Sequence, residues 1–399
     1  MPRRNNKFSL GSVMLLFLLI LQPYLSCARK LLCDDHVDVA PKNSCKFDRI
    51  YSLGDATADT GNLAAEVPDS LFNKFPYGIT LGKPTGRPSN GLLMIDYFAS
   101  AFGVPYLNPY ERGVEKANFD RGANFAVAGA TALPIEILQA KGLPPHDETF
   151  DGWLATKGLH LRYATNSSLN VQLEWLSSHL NQTCHSREEC QDLLKNSLFF
   201  IGDIGAKDYS YGFWGLEGAE WDAFAPEVIQ NIAQTIRTII GFGATRVIVP
   251  GSLPLGCLPV SLSFFHHEED SPLFYDSNHC MVGWNNQAAR HNQILKAAIE
   301  ELKKEYPNVL IVYADYYNAY LSVLSNAQNL GFEDKFSACC GSGTVFNFDF
   351  GSLCGMPGVN PCPNPDNYIS WDGMSLTQQA NKYMADYLIN SIAPQLKCG

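Results

Sequence analysis

Five short apolar runs, set far apart along the chain, constrain its fold more than any other feature. They are Arg49–Leu53, Asn124–Ala128, Leu198–Ile201, Arg246–Pro250 and Val309–Tyr313. Between them lie longer helical patterns. Val228, Ile229, Ile232, Ile236, Ile239 and Ile240 recur at helical spacing and read as a buried face, and Asn285–Lys304 and Gln378–Leu396 read as helices too. Short strands alternating with helices are the signature of a parallel sheet covered on both faces. The predicted class is therefore α/β, a five-stranded parallel sheet flanked by helices. The segments Pro68–Pro109 and Leu133–Ala164, rich in Pro, Gly and aromatic residues, are predicted to be long loops over the rim of the sheet. There is no internal repeat and no linker, so one domain is expected.

The first 28 residues read as a secretory signal. Arg3, Arg4 and Lys7 precede the apolar run Val13–Leu21, and the small residues Ser26 and Ala28 place cleavage near Ala28. That run is short for a bilayer span. The expected domain is 29–399, in a soluble protein of the secretory pathway that ends outside the cell or in the vacuole. Hydrophobic residues make up 46% of the chain, enough for a large core, and the net charge of −11 argues against nucleic acid or an anionic membrane as a partner.

Of twelve cysteines, Cys27 is expected to leave with the signal. Secretion makes disulfides the default for the rest. Cys184 and Cys190 are spaced to close a small loop, and Cys339, Cys340, Cys354 and Cys362 form a second cluster. That cluster lacks paired C-x-x-C spacing and a nearby histidine, which argues against a metal site. An odd remaining count leaves one thiol free or intermolecular. Asn166-Ser167-Ser168 and Asn181-Gln182-Thr183 are N-glycosylation sequons.

Ligands of a doubly wound sheet sit beyond the carboxyl ends of its strands. Ala56, Gly129 and Lys207 each fall just past a predicted strand end, which brings three separated motifs to one rim. Four blocks carry the chemistry. They are Leu53-Gly54-Asp55-Ala56-Thr57-Ala58-Asp59-Thr60-Gly61-Asn62, Gly122–Thr131, Ile201–Asp208, and Trp371-Asp372-Gly373-Met374-Ser375-Leu376-Thr377. Together they closely resemble the plant GDSL esterase/lipase family of the SGNH hydrolases. Phe75-Pro76-Tyr77-Gly78 and Tyr313–Ala319 look like its acetylajmalan-esterase-type branch, which hydrolyses acetyl esters of plant specialised metabolites, including alkaloids. The resemblance implies a flavodoxin-like SGNH domain without cofactor or metal. It matches Gly129 to a glycine whose N–H helps hold the oxyanion, and Asp372 to the acid that orients the catalytic histidine. Relatives carry the nucleophilic serine where this chain has Ala56, the oxyanion asparagine where it has Lys207, and the histidine where it has Ser375.

Ester hydrolysis by this route needs a nucleophile, a base, an acid orienting that base, and preorganised oxyanion donors. Ala56 has no heteroatom, and Ser375 cannot accept a proton near neutral pH as imidazole does. Losing a serine or histidine from such a unit costs on the order of 10⁶ in kcat. One lost oxyanion donor costs roughly 10²–10³ more. Thr57 is expected to point elsewhere after a tight turn. A relocated nucleophile at Ser375 with Lys207 as base is disfavoured, because their family positions flank the nucleophile rather than each other. His266 and His267, beside Glu268, Glu269 and Asp270, read as a solvated loop. For Lys207 two readings stand. One is a charge filling vacated space, paired with Asp55, Asp208 or Asp372; the other is a reactive amine of depressed pKa.

Two functions follow from this pattern. The first is a catalytically inactive helper, chaperone-like or a heterodimer partner, of an active paralogous acetylesterase, with a small-molecule ligand also compatible. The second is a new non-hydrolytic enzyme, a cyclase, isomerase or lyase, using Lys207 and Asp372 on a specialised metabolite.

Overall fold

The computed structural model describes residues 45–111, 117–143, 165–264, 266 and 274–397. The predicted signal and its cleavage point lie outside them, as does His267. All of the described residues fall in one compact unit.

Five parallel strands form the main sheet: β1 (Arg49–Leu53), β2 (Gly122–Asn124), β3 (Ser197–Ile201), β4 (Arg246–Pro250) and β5 (Leu310–Ala314). Their order is β2-β1-β3-β4-β5. Side chains alternate across the pleat, so β1, β3, β4 and β5 each feed two cores. Tyr51, Leu53, Phe199, Ile201, Val247 and Ile311 join one apolar cluster, while Ile50, Leu198, Phe200, Ile248 and Val312 join the other. Burial on both faces is why these strands read as continuous apolar runs. The helix Gly218–Phe242 buries Val228, Ile229, Ile232, Ile236 and Ile239, as its spacing predicts, and Ile240 packs at the edge of the same cluster.

β1 and β4 have the predicted bounds, and β3 and β5 differ by one residue. β2 starts two residues earlier than predicted and ends four earlier, because Asn124 ends the ladder. Its Oδ1 accepts from Ala126 N (2.9 Å) and its Nδ2 donates to Ala58 O (2.5 Å), so the chain leaves the strand there. Residues 125–128 stay buried as irregular chain, and an apolar run alone does not distinguish the two. The last helix stops at Ile392 rather than Leu396 and tightens to a 3₁₀ turn around Pro394, which has no N–H to donate. The helix predicted over Asn285–Lys304 runs Val282–Glu305.

The loop predicted over Pro68–Pro109 holds the helix Met94–Ala101 and two 3₁₀ turns; the other predicted loop holds the helix Ile135–Ala140. A second, two-stranded parallel sheet of β6 (Asp334–Ala338) and β7 (Tyr368–Ser370) was not visible in the pattern. Cys184 bonds Cys190 as expected, and the later cluster pairs Cys339–Cys362 and Cys340–Cys354. Cys257–Cys280 is a further bridge. All nine described cysteines, Cys45 included, are disulfide-bonded, so the expected odd thiol is not among them. Asn166 and Asn181 are exposed, as glycan acceptors must be. Among the described residues no helix is long and apolar enough to cross a membrane.

Candidate functional site

The sheet order 2-1-3-4-5 has its switch point beyond the carboxyl ends of β1 and β3, where ligands of such sheets bind. There the chain after β1 folds sharply, with Ala58 and Asp59 N–H groups donating to Asp55 O (3.2 and 3.0 Å). Gly54 permits the close approach. Its φ is +156°, and a Cβ would stand 2.5 Å from Gly202 O. Gly202 N donates to Leu53 O (3.0 Å), so the turns after β1 and β3 touch.

Block two joins them through side chains that hold backbone. Asp59 Oδ1 accepts from Gly61 N and Asn62 N (2.7 and 2.6 Å), and its Oδ2 from Leu63 N and Ala128 N (3.1 and 2.8 Å). Asn62 Nδ2 donates to Asn124 O and Ala126 O. From the helix Leu169–Thr183, Gln172 brackets Gly54, donating to its O and accepting from its N (2.9 and 2.8 Å). Asp208 accepts from Ala132 N and Leu133 N (2.8 and 2.9 Å), which fastens block three to block two.

Ala56 and Gly129 are both partly exposed in this setting. Neither of their N–H groups makes a hydrogen bond among the described residues, and Gly129 has a φ of +82°. Two backbone donors thus remain at the rim. The hydroxyl and the N–H of Thr57 both donate to Asp55 Oδ1 (3.2 and 3.0 Å).

Lys207 occupies the first turn of the helix Ala206–Gly215, is partly exposed, and has its ammonium 4.7 Å from the centroid of the Tyr211 ring. The three carboxylates suggested as its partners are held by other donors. Asp55 takes Thr57, and Asp208 takes the loop amides. Asp372 accepts from Tyr77 Oη at Oδ2 (2.9 Å) and from Met374 N and Ser375 N at Oδ1 (2.9 and 2.7 Å). The Asp372 carboxylate is therefore held by the Tyr77 hydroxyl and by the backbone of Met374 and Ser375. His266 is exposed, with its ring against Phe346 (6.1 Å between centroids). No cluster of three or more metal-ligating side chains occurs among the described residues.

Burial dominates the electrostatics. It pushes the carboxyls of Asp55 and Asp59 up to about 6 and that of Asp208 to about 7, against the hydrogen bonds that hold them down. Asp203, buried with Oδ1 unpartnered, is pushed well above the carboxylate range by burial and then by the charge of Asp55. Asp372 is also raised, by burial. His291 is lowered to about 4, and His179 is lowered too, again mainly by burial.

These shifts set a pH dependence. A carboxyl raised in the folded state binds its proton more tightly there than in the unfolded chain. Its stabilising contribution is complete below about pH 4 and is lost as pH rises through 6 to 7. The two histidines act oppositely, losing stability as pH falls from about 6.5 to 4. Five raised carboxyls outnumber them, so thermal unfolding at matched ionic strength should occur at higher temperature at pH 5 than at pH 7.5. A lower unfolding temperature at pH 5 contradicts this balance.

The motifs placed Ala56, Gly129, Lys207, Asp372 and Ser375 but missed their supports. Tyr77 lay within a quoted motif without a role, and Asp203 within a block. Gln172 carried no signal at all.

A flavodoxin-like sheet with this rim defines an SGNH-type α/β hydrolase domain. The GDSL-like lipase/acylhydrolase family model matches residues 50–388. Acetylajmalan esterase 2 of Rauvolfia serpentina is 40% identical over 358 residues, 89% of this chain and 92% of that protein. A GDSL esterase/lipase of Arabidopsis thaliana is 38% identical over 362 residues, 88% of this chain and 86% of that protein. The chain belongs to the GDSL esterase/lipase family.

Proposed function

We propose that this protein is a catalytically inactive GDSL esterase homologue. In this reading it serves as a non-catalytic helper, chaperone-like or a heterodimer partner, of an active paralogous acetylesterase in plant specialised metabolism. The observation that carries the reading is Ala56, a side chain without a heteroatom in a turn whose supports, Gly54, Asp59, Asn62 and Gln172, are all engaged. Exposed sequons and four described disulfide bridges fit a glycoprotein folding in the secretory pathway and ending in the extracellular space or vacuole. A partner that binds only the folded esterase stabilises it by RT ln(1 + [L]/Kd), about 2.7 kcal/mol at a hundred times Kd. Stabilisation of that size changes cellular abundance several-fold.

Co-expression in a secretory host, with a paralogue that keeps serine, asparagine and histidine, tests this. Acetyl-ester hydrolysis per cell should rise several-fold only in the pair, and the two chains should co-purify. A paralogue equally active and abundant alone, with no association, removes the helper reading for that pair.

A second reading, a non-hydrolytic cyclase, isomerase or lyase, draws on the partly exposed Lys207 and on the buried, raised carboxyl of Asp372. The sealing of Asp372 by Tyr77, Met374 and Ser375 weighs against it.

A further inference from the structure

A cavity of about 740 Å³ opens between the end of the helix Ala206–Gly215 and the first turns of the helices Gly218–Phe242 and Val282–Glu305. None of Ala56, Gly129, Lys207, Asp372 or Ser375 lines it. Lys207 and Phe213 lie six residues apart on one helix, roughly 9 Å along its axis. Four rings form the walls, those of Phe213, Trp221, Phe274 and Trp284. Phe213 and Phe274 keep 43% and 37% of their surface exposed. Phe213 and Trp284 pack against each other, with 5.2 Å between ring centroids at 36°.

We propose that this cavity is a binding site for an uncharged aromatic or polycyclic small molecule. Its volume falls in the range of small-ligand pockets, and it is concave where a protein partner needs a broad face of roughly 800 Å². Ring faces favour offset or edge-on packing of another ring system. The charged groups of the lining select against anions. Arg290 is committed to Asp222, donating to its carboxylate (3.1 Å) and its carbonyl (2.7 Å), whereas Glu217 places an exposed carboxylate without a hydrogen bond at the mouth. The site stands apart from the helper reading, since neither needs the other.

The test is fluorescence titration of the full glycosylated protein with N-phenyl-1-naphthylamine, an uncharged aromatic probe. Its anionic relative 8-anilinonaphthalene-1-sulfonate serves as the comparison. Saturable one-to-one binding is expected, at least tenfold tighter for the uncharged probe. Gly283→Leu is the blocking variant. A Cβ at Gly283 meets no atom within 4 Å, so a larger side chain fits the fold while projecting from a residue that lines the cavity. Trp284→Ala removes a wall. Each should weaken binding at least tenfold, with Gly283→Leu keeping the wild-type thermal unfolding temperature. Absence of saturable binding, equal binding of the anionic probe, or full-strength binding by a folded Gly283→Leu protein overturns the proposal.

Discussion

The triple variant Ala56→Ser/Lys207→Asn/Ser375→His is expected to hydrolyse an aryl acetate at least about 10³-fold faster than the wild-type chain, while Ala56→Ser alone gains almost nothing. The asymmetry follows from how such units work. Removing serine or histidine alone costs about as much as removing the whole triad, on the order of 10⁶ in kcat. Restoring one member therefore restores little. The framework for the rest is present. Asp372 is fixed by Tyr77 and two backbone amides, one of them that of Ser375, where the imidazole would be restored. The N–H groups of Ala56 and Gly129 make no hydrogen bond among the described residues, and an asparagine at 207 adds a donor worth roughly 10²–10³. Stopped-time assays with p-nitrophenyl acetate, and organophosphate labelling at position 56, read the outcome. A wild-type chain that already matches the triple variant, unlabelled, shows that hydrolysis runs through other residues and ends the inactive reading.

Much of this fold was legible because its strands are buried on both faces. β1 and β4 announce themselves as apolar runs with clear ends, and the face of Gly218–Phe242 repeats at helical spacing. β6 and β7 were not legible. Asp334-Lys335-Phe336-Ser337-Ala338 is half polar, and Tyr368–Ser370 is three residues long. The blocks of the site were visible as motifs, whereas their supports were not, because they reach across the chain. Tyr77 meets Asp372 from 295 residues away and Gln172 meets Gly54 from 118. No local pattern encodes such a contact. The structure also changes what retention means. Gly54, Asp59 and Asn62 are the parts of the first block that hold backbone together, whereas Ala56 is not. A chain can keep the first three for folding alone, so their presence is no sign of surviving chemistry.

Asp59 is where that distinction has its largest measurable consequence. Its carboxylate accepts four backbone N–H groups, from Gly61, Asn62, Leu63 and Ala128, and is completely buried. Replacing it with alanine leaves those donors without partners, where water does not reach. Each stranded buried donor costs about 1–3 kcal/mol. Burial of the charge offsets part of the gain from these bonds, as the carboxyl's rise to about 6 shows. At pH 7.5 the group is nevertheless largely ionised, and the net loss for Asp59→Ala should be at least about 4 kcal/mol. That is a large share of the 5–15 kcal/mol typical of a folded domain. Urea unfolding followed by tryptophan fluorescence measures it, and a loss under about 1 kcal/mol refutes the bracing role. Ala56→Gly, in the same turn but outside the bracing network, should by contrast move stability by less than about 1 kcal/mol. A pair of variants three residues apart that differ this widely separates a residue this fold needs from one it does not.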